Sequence, residues 1–332
     1  MHYNIPIFIP HLACPFTCVF CNQRHISGQQ KPMEVDDIIA KIELNLSTIV
    51  SQSSEIEVAF FGGSFTCLEL ENQNKYLELV QPYINCGQIQ SIRLSTRPDY
   101  INQNILDFLK TKHVETIELG VQSMDDTVLK SSGRGHTAQH VINASELIRA
   151  NGFKLGLQMM VGLPDDSAEK SLETAKRIIS LSPDCLRIYP ALVVKNTELE
   201  SLYNQGRYQA LTLDEAIDWV ALVMKQFIQN QINIIRVGLH PSEGFESGGN
   251  LVAGPYHVSF RELVMTRLWY EEFKGITVED NSDLTVFIAN NEYNNAIGYK
   301  AYNKNYLKQK FRRVKFVRSA KLKDMEYYVD YN

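Results

Sequence analysis

No run of about 18 apolar residues, the minimum for a bilayer-spanning helix, occurs in this chain of 332 residues. The first residues, Met1-His2-Tyr3-Asn4-Ile5, lack the basic start and apolar core of a secretory signal. Cysteine is scarce, six in all, and the one place where thiols gather has no second cysteine pair beside it. These absences predict a cytoplasmic protein with reduced thiols and no membrane partner. No internal repeat of roughly 20–50 residues is present, which argues against a solenoid. Acidic residues are missing from 300–323, where ten Lys and Arg stand. That segment carries +10 and leaves −15 on the rest of a chain whose net charge is −5. Such asymmetry marks an anionic partner.

What is present is ordinary for a globular chain: 44% hydrophobic and 21% charged residues. Short β-rich apolar runs lie at 5–9, 56–61, 91–95, 116–121, 155–160 and 185–189. Between them, 35–46, 72–83, 102–112, 138–150 and 167–180 carry helical periodicity. Strand alternating with helix predicts a parallel sheet with helical crossovers. Six such strands predict the α/β class, as a partial (β/α)6 TIM-like barrel. A helix near 213–230 and a strand near 233–237 close the unit. The expected domains are a barrel over 1–240, a linker or extension over 241–275, and a small basic unit over 276–332.

Active sites on such sheets gather at the C-terminal strand ends. The cysteines follow the first strand and Gly62-Gly63-Ser64 the second. Thr96-Arg97-Pro98-Asp99, Gln122-Ser123 and Gly162-Leu163-Pro164 follow the next three. Gly62 and Gly63 let the backbone approach a ligand, though a plain strand-to-helix turn uses the same pair. Gln122 would face the pocket. Arg134 would bind a carboxylate through two parallel donors, or stand in a solvated turn, and Arg97 has the same two readings.

The thiols stand as Cys14-Pro-Phe-Thr-Cys18-Val-Phe-Cys21. Thiolates are the usual ligands of iron–sulfur clusters, and four saturate a four-iron cluster. Three leave one iron open to a substrate or cofactor. Structural zinc is the main alternative; it takes four ligands, and His11 or His25 would have to complete the set. Cys67, Cys86 and Cys185 read as buried small hydrophobes.

The C-x3-C-x2-C spacing after the first strand, with the aromatic Phe20 before the last cysteine, resembles the radical S-adenosylmethionine (radical SAM) superfamily. The order of the later motifs fits as well. The resemblance implies a 4Fe-4S cluster on Cys14, Cys18 and Cys21, whose open iron binds S-adenosyl-L-methionine (SAM). The reduced cluster then splits SAM into methionine and a 5′-deoxyadenosyl radical. It also implies that Phe20, Gly62, Gly63, Ser64, Thr96, Arg97, Gln122, Arg134, Gly162 and Leu163 surround SAM. Ser64 stands where many members have Glu. A flavodoxin- or ferredoxin-type reductant is implied too. Gly120-Val-Gln-Ser123, Arg134-Gly-His-Thr137 and the run 186–194 narrow the likeness. They resemble the radical SAM domain of the Elongator catalytic-subunit family, and short bacterial Elongator-like proteins above all. Two features depart from that subunit: the short gap before Cys18, and too few residues after Phe260 for its acetyltransferase domain.

Residues 284–289 read as a strand, 291–296 as a helix, and 302–311 as a basic helix before a strand at 313–317. With Gly298-Tyr299-Lys300-Ala301 between the helices, this resembles a KH RNA-binding module, Ala301 replacing the last glycine. Tyr299, Tyr302, Tyr306, Phe311 and Phe316 interleave with basic residues, and RNA bound through 284–323 is the expected partner. The plainer reading is a small α/β cap. The expected function is a radical SAM enzyme acting on RNA, as in tRNA modification. The alternatives are a small-molecule substrate with porphyrinogen-type oxidation, and a zinc-stabilised RNA-binding module. Tyr189, His136, His240 and His257 are candidate relays, as are Cys67 and Cys185, though each residue type is more often structural.

Overall fold

The computed structural model describes residues 2–9, 14, 18–22, 25, 33–49, 55–239, 249–277 and 282–331. One sheet holds seven strands: β1 (His2–Ile9), β2 (Glu55–Gly62), β3 (Ser91–Thr96), β4 (Val114–Gln122), β5 (Lys154–Val161), β6 (Cys185–Pro190) and β8 (Ile234–Val237). Each strand pairs in parallel with the next. The six expected strands are all present, and the one expected near 233–237 joins as the seventh. The sheet curls into a half-barrel with β1 and β8 at its edges. A two-stranded antiparallel ribbon, β7 (Val193–Val194) with β9 (Leu251–Ala253), lies apart from it.

The crossover helices begin where the sequence offers caps. Asn102 accepts a hydrogen bond from Ile105 N, Thr137 from His140 N, Ser167 from Lys170 N and Thr212 from Glu215 N. Each satisfies a backbone donor that the first turn leaves unpaired.

Period-two alternation sorts the strands' side chains. Ile5, Ile7 and Ile9, then Val58 and Phe60, Ile92 and Leu94, Ile117 and Leu119, Leu155 and Leu157, and Leu186 and Ile188 join the buried core under the helices. Their neighbours turn inward, and that face is polar. Glu118 sits at its centre, 2% exposed. It accepts from Arg187 Nε at 2.6 Å and Nη2 at 3.0 Å, and from Arg93 Nη1 at 2.8 Å. Arg93 Nε donates on to Glu57 at 3.0 Å, and Ser91 Oγ donates to the same carboxylate at 3.0 Å. Arg187 also lies over the Phe61 ring, 5.0 Å from its centre. One charge network thus ties β2, β3, β4 and β6 together. Burial raises the Glu118 carboxyl, but Arg187 and Arg93 outweigh it and hold the group below the usual carboxylate range.

The stretch expected to be a linker or extension includes the helix Phe260–Lys274. Trp269 and Phe273 on that helix are fully buried, in a core continuous with the barrel's. On it rest β10 (Asp283–Ala289), β11 (Arg313–Ser319) and β12 (Tyr327–Tyr331), with β10 central, parallel to β11 and antiparallel to β12. The helices Tyr293–Ile297 and Tyr302–Lys308 cross between β10 and β11. Their turn, Gly298-Tyr299-Lys300-Ala301, is left-handed at Lys300 and Ala301, with φ of 50° and 58°. Thr266 anchors it: Tyr299 N donates to Thr266 Oγ1 at 2.7 Å, and Asn303 Nδ2 to Thr266 O at 3.0 Å. A Cβ on Gly298 would lie 2.9 Å from Thr266 Cγ2. Gly298 therefore serves close packing onto the helix. Phe311 and Phe316, expected as exposed stacking platforms, are core residues, 4% and 6% exposed. Apolar alternation in β11 turns Phe316 inward, and Phe311 is buried in the turn before that strand.

The pH dependence of the network follows from its direction of shift. Stability from Glu118 is present above the titration range of an unfolded Glu and is lost as pH falls through its lower folded value. Glu118→Ala leaves two arginines facing each other in a dry interior. It should lower the unfolding free energy by about 3–5 kcal/mol in denaturant titration. A loss under about 1 kcal/mol, typical of an exposed pair, would contradict the network's role.

Candidate active site

The inward face ends at the C-terminal edge of the sheet, and the strand-end motifs meet there. Gly62 has φ of 105°, and a Cβ would lie 2.7 Å from Ile9 O, so only glycine lets β2 turn beside the end of β1. Gly63 N donates to Ile9 O at 3.3 Å, and Ser64 behind it is buried. Thr66 Oγ1 and Thr96 Oγ1 share a hydrogen bond of 2.6 Å, joining this loop to β3. Arg97 donates to both carboxylate oxygens of Asp99 at 2.9 Å, and its Nη2 donates to Arg134 O at 2.5 Å. Gln122 sits at a break in register between β4 and β5, in a left-handed conformation with φ of 66°. Its Oε1 is buried without a partner among the described residues. Gly162 has φ of 76°, and a Cβ there would meet Leu211. Its N donates to Asp166 at 2.9 Å and its O accepts from Tyr208 Oη at 2.6 Å.

Val19 pins the cysteine loop over these ends, with its N on Ser132 O at 3.1 Å and its O accepting from Leu199 N at 2.7 Å. Phe20 packs with Met160, Leu163, Ala191 and Val128. Cys18 is buried; Cys14 and Cys21 are half-buried; none forms a disulfide. Arg134 Nη1 donates to Cys18 Sγ at 3.2 Å, and Nη2 to Gly120 O at 2.5 Å. A Cβ on Gly120 would stand 3.0 Å from Gln122 Nε2 and 3.1 Å from Arg134 Nη2, so glycine makes room for both. Among the described residues, no three His, Cys, Asp or Glu side chains converge closely enough to hold a single metal ion.

The donor set suits an iron–sulfur cluster with a polar ligand. Three thiols share one loop, and a buried guanidinium faces one of them. The buried Gln122 Oε1 and Arg134 Nε have no partners among the described residues, and Gln122 leaves an acceptor for an ammonium.

Other candidates sort differently. Burial, aided by the charge of Cys14 against a hydrogen bond from Ser64, pushes the Cys67 thiol up to about 12. Cys185 is buried in the inward network, accepting from Arg93 Nη1 at 3.4 Å. Cys86 departs from the expectation of burial: it is exposed, at the end of the short helix Gln81–Asn85. Tyr189 is raised by burial and lies with Arg187 on the inward face. His257 lies edge-on to Tyr299, with Nδ1 accepting from Ser259 N. His25 faces Asn196 at 3.4 Å. His11 and His240 lie outside the described residues. His136 is buried with Nε2 3.2 Å from Val121 O, beside a cleft of about 500 Å³ lined by Lys130 and Thr137. Burial, with the charges of Arg134 and Arg97, pushes its imidazole down to about 3. Asp99 stood within a strand-end segment already singled out, but sequence reasoning missed Asp166 and Tyr208, which brace the site loops; the turn chemistry of Asp165-Asp166-Ser167 was the one local signal for Asp166.

Comparison with known proteins agrees with this geometry. The model of the radical SAM superfamily matches residues 8–178, and that of its C-terminal domain matches 183–270. The chain belongs to the radical SAM superfamily. A tRNA uridine(34) acetyltransferase from Methanocaldococcus infernus is 28% identical over 202 residues, 55% of this chain and 38% of that protein. Human Elongator complex protein 3 is 32% identical over 180 residues, 53% of this chain and 32% of that protein. The chain thus spans well under half the length of these relatives. The structure of the archaeal Elp3 of M. infernus, lacking its N-terminus, superposes with a TM-score of 0.63 at 21% identity, covering 85% of this chain and 70% of that one. It shares the fold.

A neutral His136 is the testable consequence of this packing. Its folded value lies below the unfolded one, so the stability it contributes is present above about pH 6.5 and is lost as pH falls toward 3. Its imidazole resonances should stay in the neutral form by NMR from pH 8 down to about 4. Titration near the ordinary 6.5 would contradict the site's dryness.

Proposed function

We propose that this chain cleaves SAM reductively at a 4Fe-4S cluster held by Cys14, Cys18 and Cys21, and applies that chemistry to an RNA, as in tRNA modification. When bound, the cluster and SAM supply a 5′-deoxyadenosyl radical after one-electron reduction. The observation that carries the reading is that a buried arginine ties the three-cysteine loop, at Cys18, to the C-terminal strand ends of a radical SAM half-barrel, beside a glutamine oxygen with no partner among the described residues.

In this reading the chain's own groups bind, orient and keep water out. Gln122 Oε1 accepts from the SAM ammonium. Thr96 and Arg97 brace the floor, Gly62, Gly63 and Ser64 shape the methionine side, and Phe20, Gly162 and Leu163 line the adenine side. The neutral, desolvated His136 donates to Val121 O and moves no proton at physiological pH. Residues 1–240 carry the chemistry, 241–275 join the parts, and 276–332 present RNA. A flavodoxin- or ferredoxin-type protein supplies the electron, in the cytoplasm.

The RNA part has two supports. Relatives are named for action on tRNA uridine, and the C-terminal unit pairs cations with rings. Lys300 lies 5.4 Å over Tyr299, Lys310 4.5 Å over Tyr306, and Lys274 5.4 Å over Tyr270. Tyr302 beside them is 56% exposed. Such a surface suits phosphates and unstacked bases. The burial of Phe311, Phe316 and Gly298 favours the second reading, a small-molecule enzyme whose C-terminal unit is structural.

Anaerobically reconstituted protein with dithionite should release 5′-deoxyadenosine from SAM, and it should bind bulk tRNA with an affinity that falls steeply with salt. Replacing Lys300, Lys304 and Lys308 by Gln should lower the salt slope by about one per lost phosphate contact. Release of 5′-deoxyadenosine with RNA binding absent, or unaltered by these changes, would favour a small-molecule substrate.

A further inference from the structure

Arg134 is held more tightly than a ligand-gripping side chain needs to be. It is 7% exposed. Its N donates to Leu129 O at 3.0 Å, closing the end of the helix Asp126–Ser131. Gly133 and Gly135 on either side have φ of 64° and 74°, which fixes the turn that carries it. Its carbonyl accepts from Arg97, itself braced by Asp99. The guanidinium so aimed meets two acceptors, Cys18 Sγ at 3.2 Å and Gly120 O at 2.5 Å. A two-pronged grip on a carboxylate needs a pair of parallel free donors. Each terminal nitrogen already gives one hydrogen to a protein acceptor in a different direction, and Nε has none among the described residues, so no parallel pair of nitrogens is uncommitted.

We infer that Arg134 is a positioning residue that sets the reduction potential of the cluster through its hydrogen bond to the Cys18 sulfur, and that it does not clamp the SAM carboxylate. This rests on the reading of Cys14, Cys18 and Cys21 as cluster ligands. Reduction adds one electron from an external one-electron donor and moves no proton, since the guanidinium stays protonated. The electron increases the negative charge shared by the irons and their thiolates. A buried cation in hydrogen-bond contact with one thiolate stabilises that form more than the oxidised one. Hydrogen bonds to ligand sulfurs are among the levers that set such potentials. The three thiolates by themselves make the electron harder to add, and Arg134 offsets part of that charge.

The test compares wild-type protein, Arg134→Gln and Arg134→Lys as reconstituted full chains, by EPR-monitored redox titration without SAM. Arg134→Gln should hold at least tenfold less reduced cluster relative to oxidised at a fixed poise, about 59 mV for a one-electron couple. Arg134→Lys keeps the charge without the fork and should fall between. SAM affinity for the oxidised protein should change less than threefold. An unmoved potential, or a potential unmoved while SAM affinity falls tenfold, overturns the inference. If the variants do not fold or load iron, the wild type decides: with 15N-guanidino-labelled arginine, pulsed EPR of the reduced cluster should show a 15N coupling, and its absence overturns the inference. Iron and sulfide content of the wild type reports on the cluster reading separately, so the two failures are distinguishable.

Discussion

Glu118, gripped from both sides by Arg93 and Arg187, is the interaction on which the rest of the molecule depends. A half-barrel has an inner face that no second sheet covers, and this one is filled with charge. Burying an ion pair is costly unless its partners are complete, and here each carboxylate has more than one donor. The network crosses β2, β3, β4 and β6, so those strands cannot slip past one another without stranding a charge. Their C-terminal ends are thereby held level, and the site is built on those ends.

From that platform the site is assembled by backbone geometry more than by side-chain reach. Gly62, Gly120 and Gly162 each stand where a Cβ would collide with a neighbour. Gly62 lets β2 end against β1, Gly120 makes room for Gln122 and Arg134, and Gly162 packs against Leu211. The hydrogen bonds of Val19 to Ser132 and Leu199 then lay the cysteine loop across the edge. Arg134 links that loop to β4 through one guanidinium. Thiols and strand ends therefore belong to one hydrogen-bonded unit, and a change at Gly133 or Asp99 would reach Cys18 through Arg134.

Much of this was legible in the sequence, because it is local. Strand–helix alternation, the cysteine spacing and the glycine pairs at strand ends each need only a short window. What was not legible depends on pairing. Arg93, Glu118 and Arg187 are visible as lone charges in apolar runs, but which charge meets which is decided by strand order. Arg134 was read as a carboxylate binder or a solvated turn residue, and its hydrogen bond to Cys18, 116 residues away, has no local signal. Phe311 and Phe316 were read with the basic residues around them, although the alternation of Val314 and Phe316 with Lys315 already turned Phe316 inward. Gly298 was read as part of a KH-like turn, and only the helix carrying Thr266 shows that it serves packing.

The central claim is that Cys14, Cys18 and Cys21 hold a four-iron cluster with one iron left open. Mössbauer spectroscopy of protein reconstituted with 57Fe tests it most directly. The account predicts about four iron per chain in a cubane cluster, one iron changing its signal when SAM is added, and loss of the cluster in each single Cys→Ala variant. A single tightly held zinc, or a cluster whose irons all ignore SAM, would contradict it.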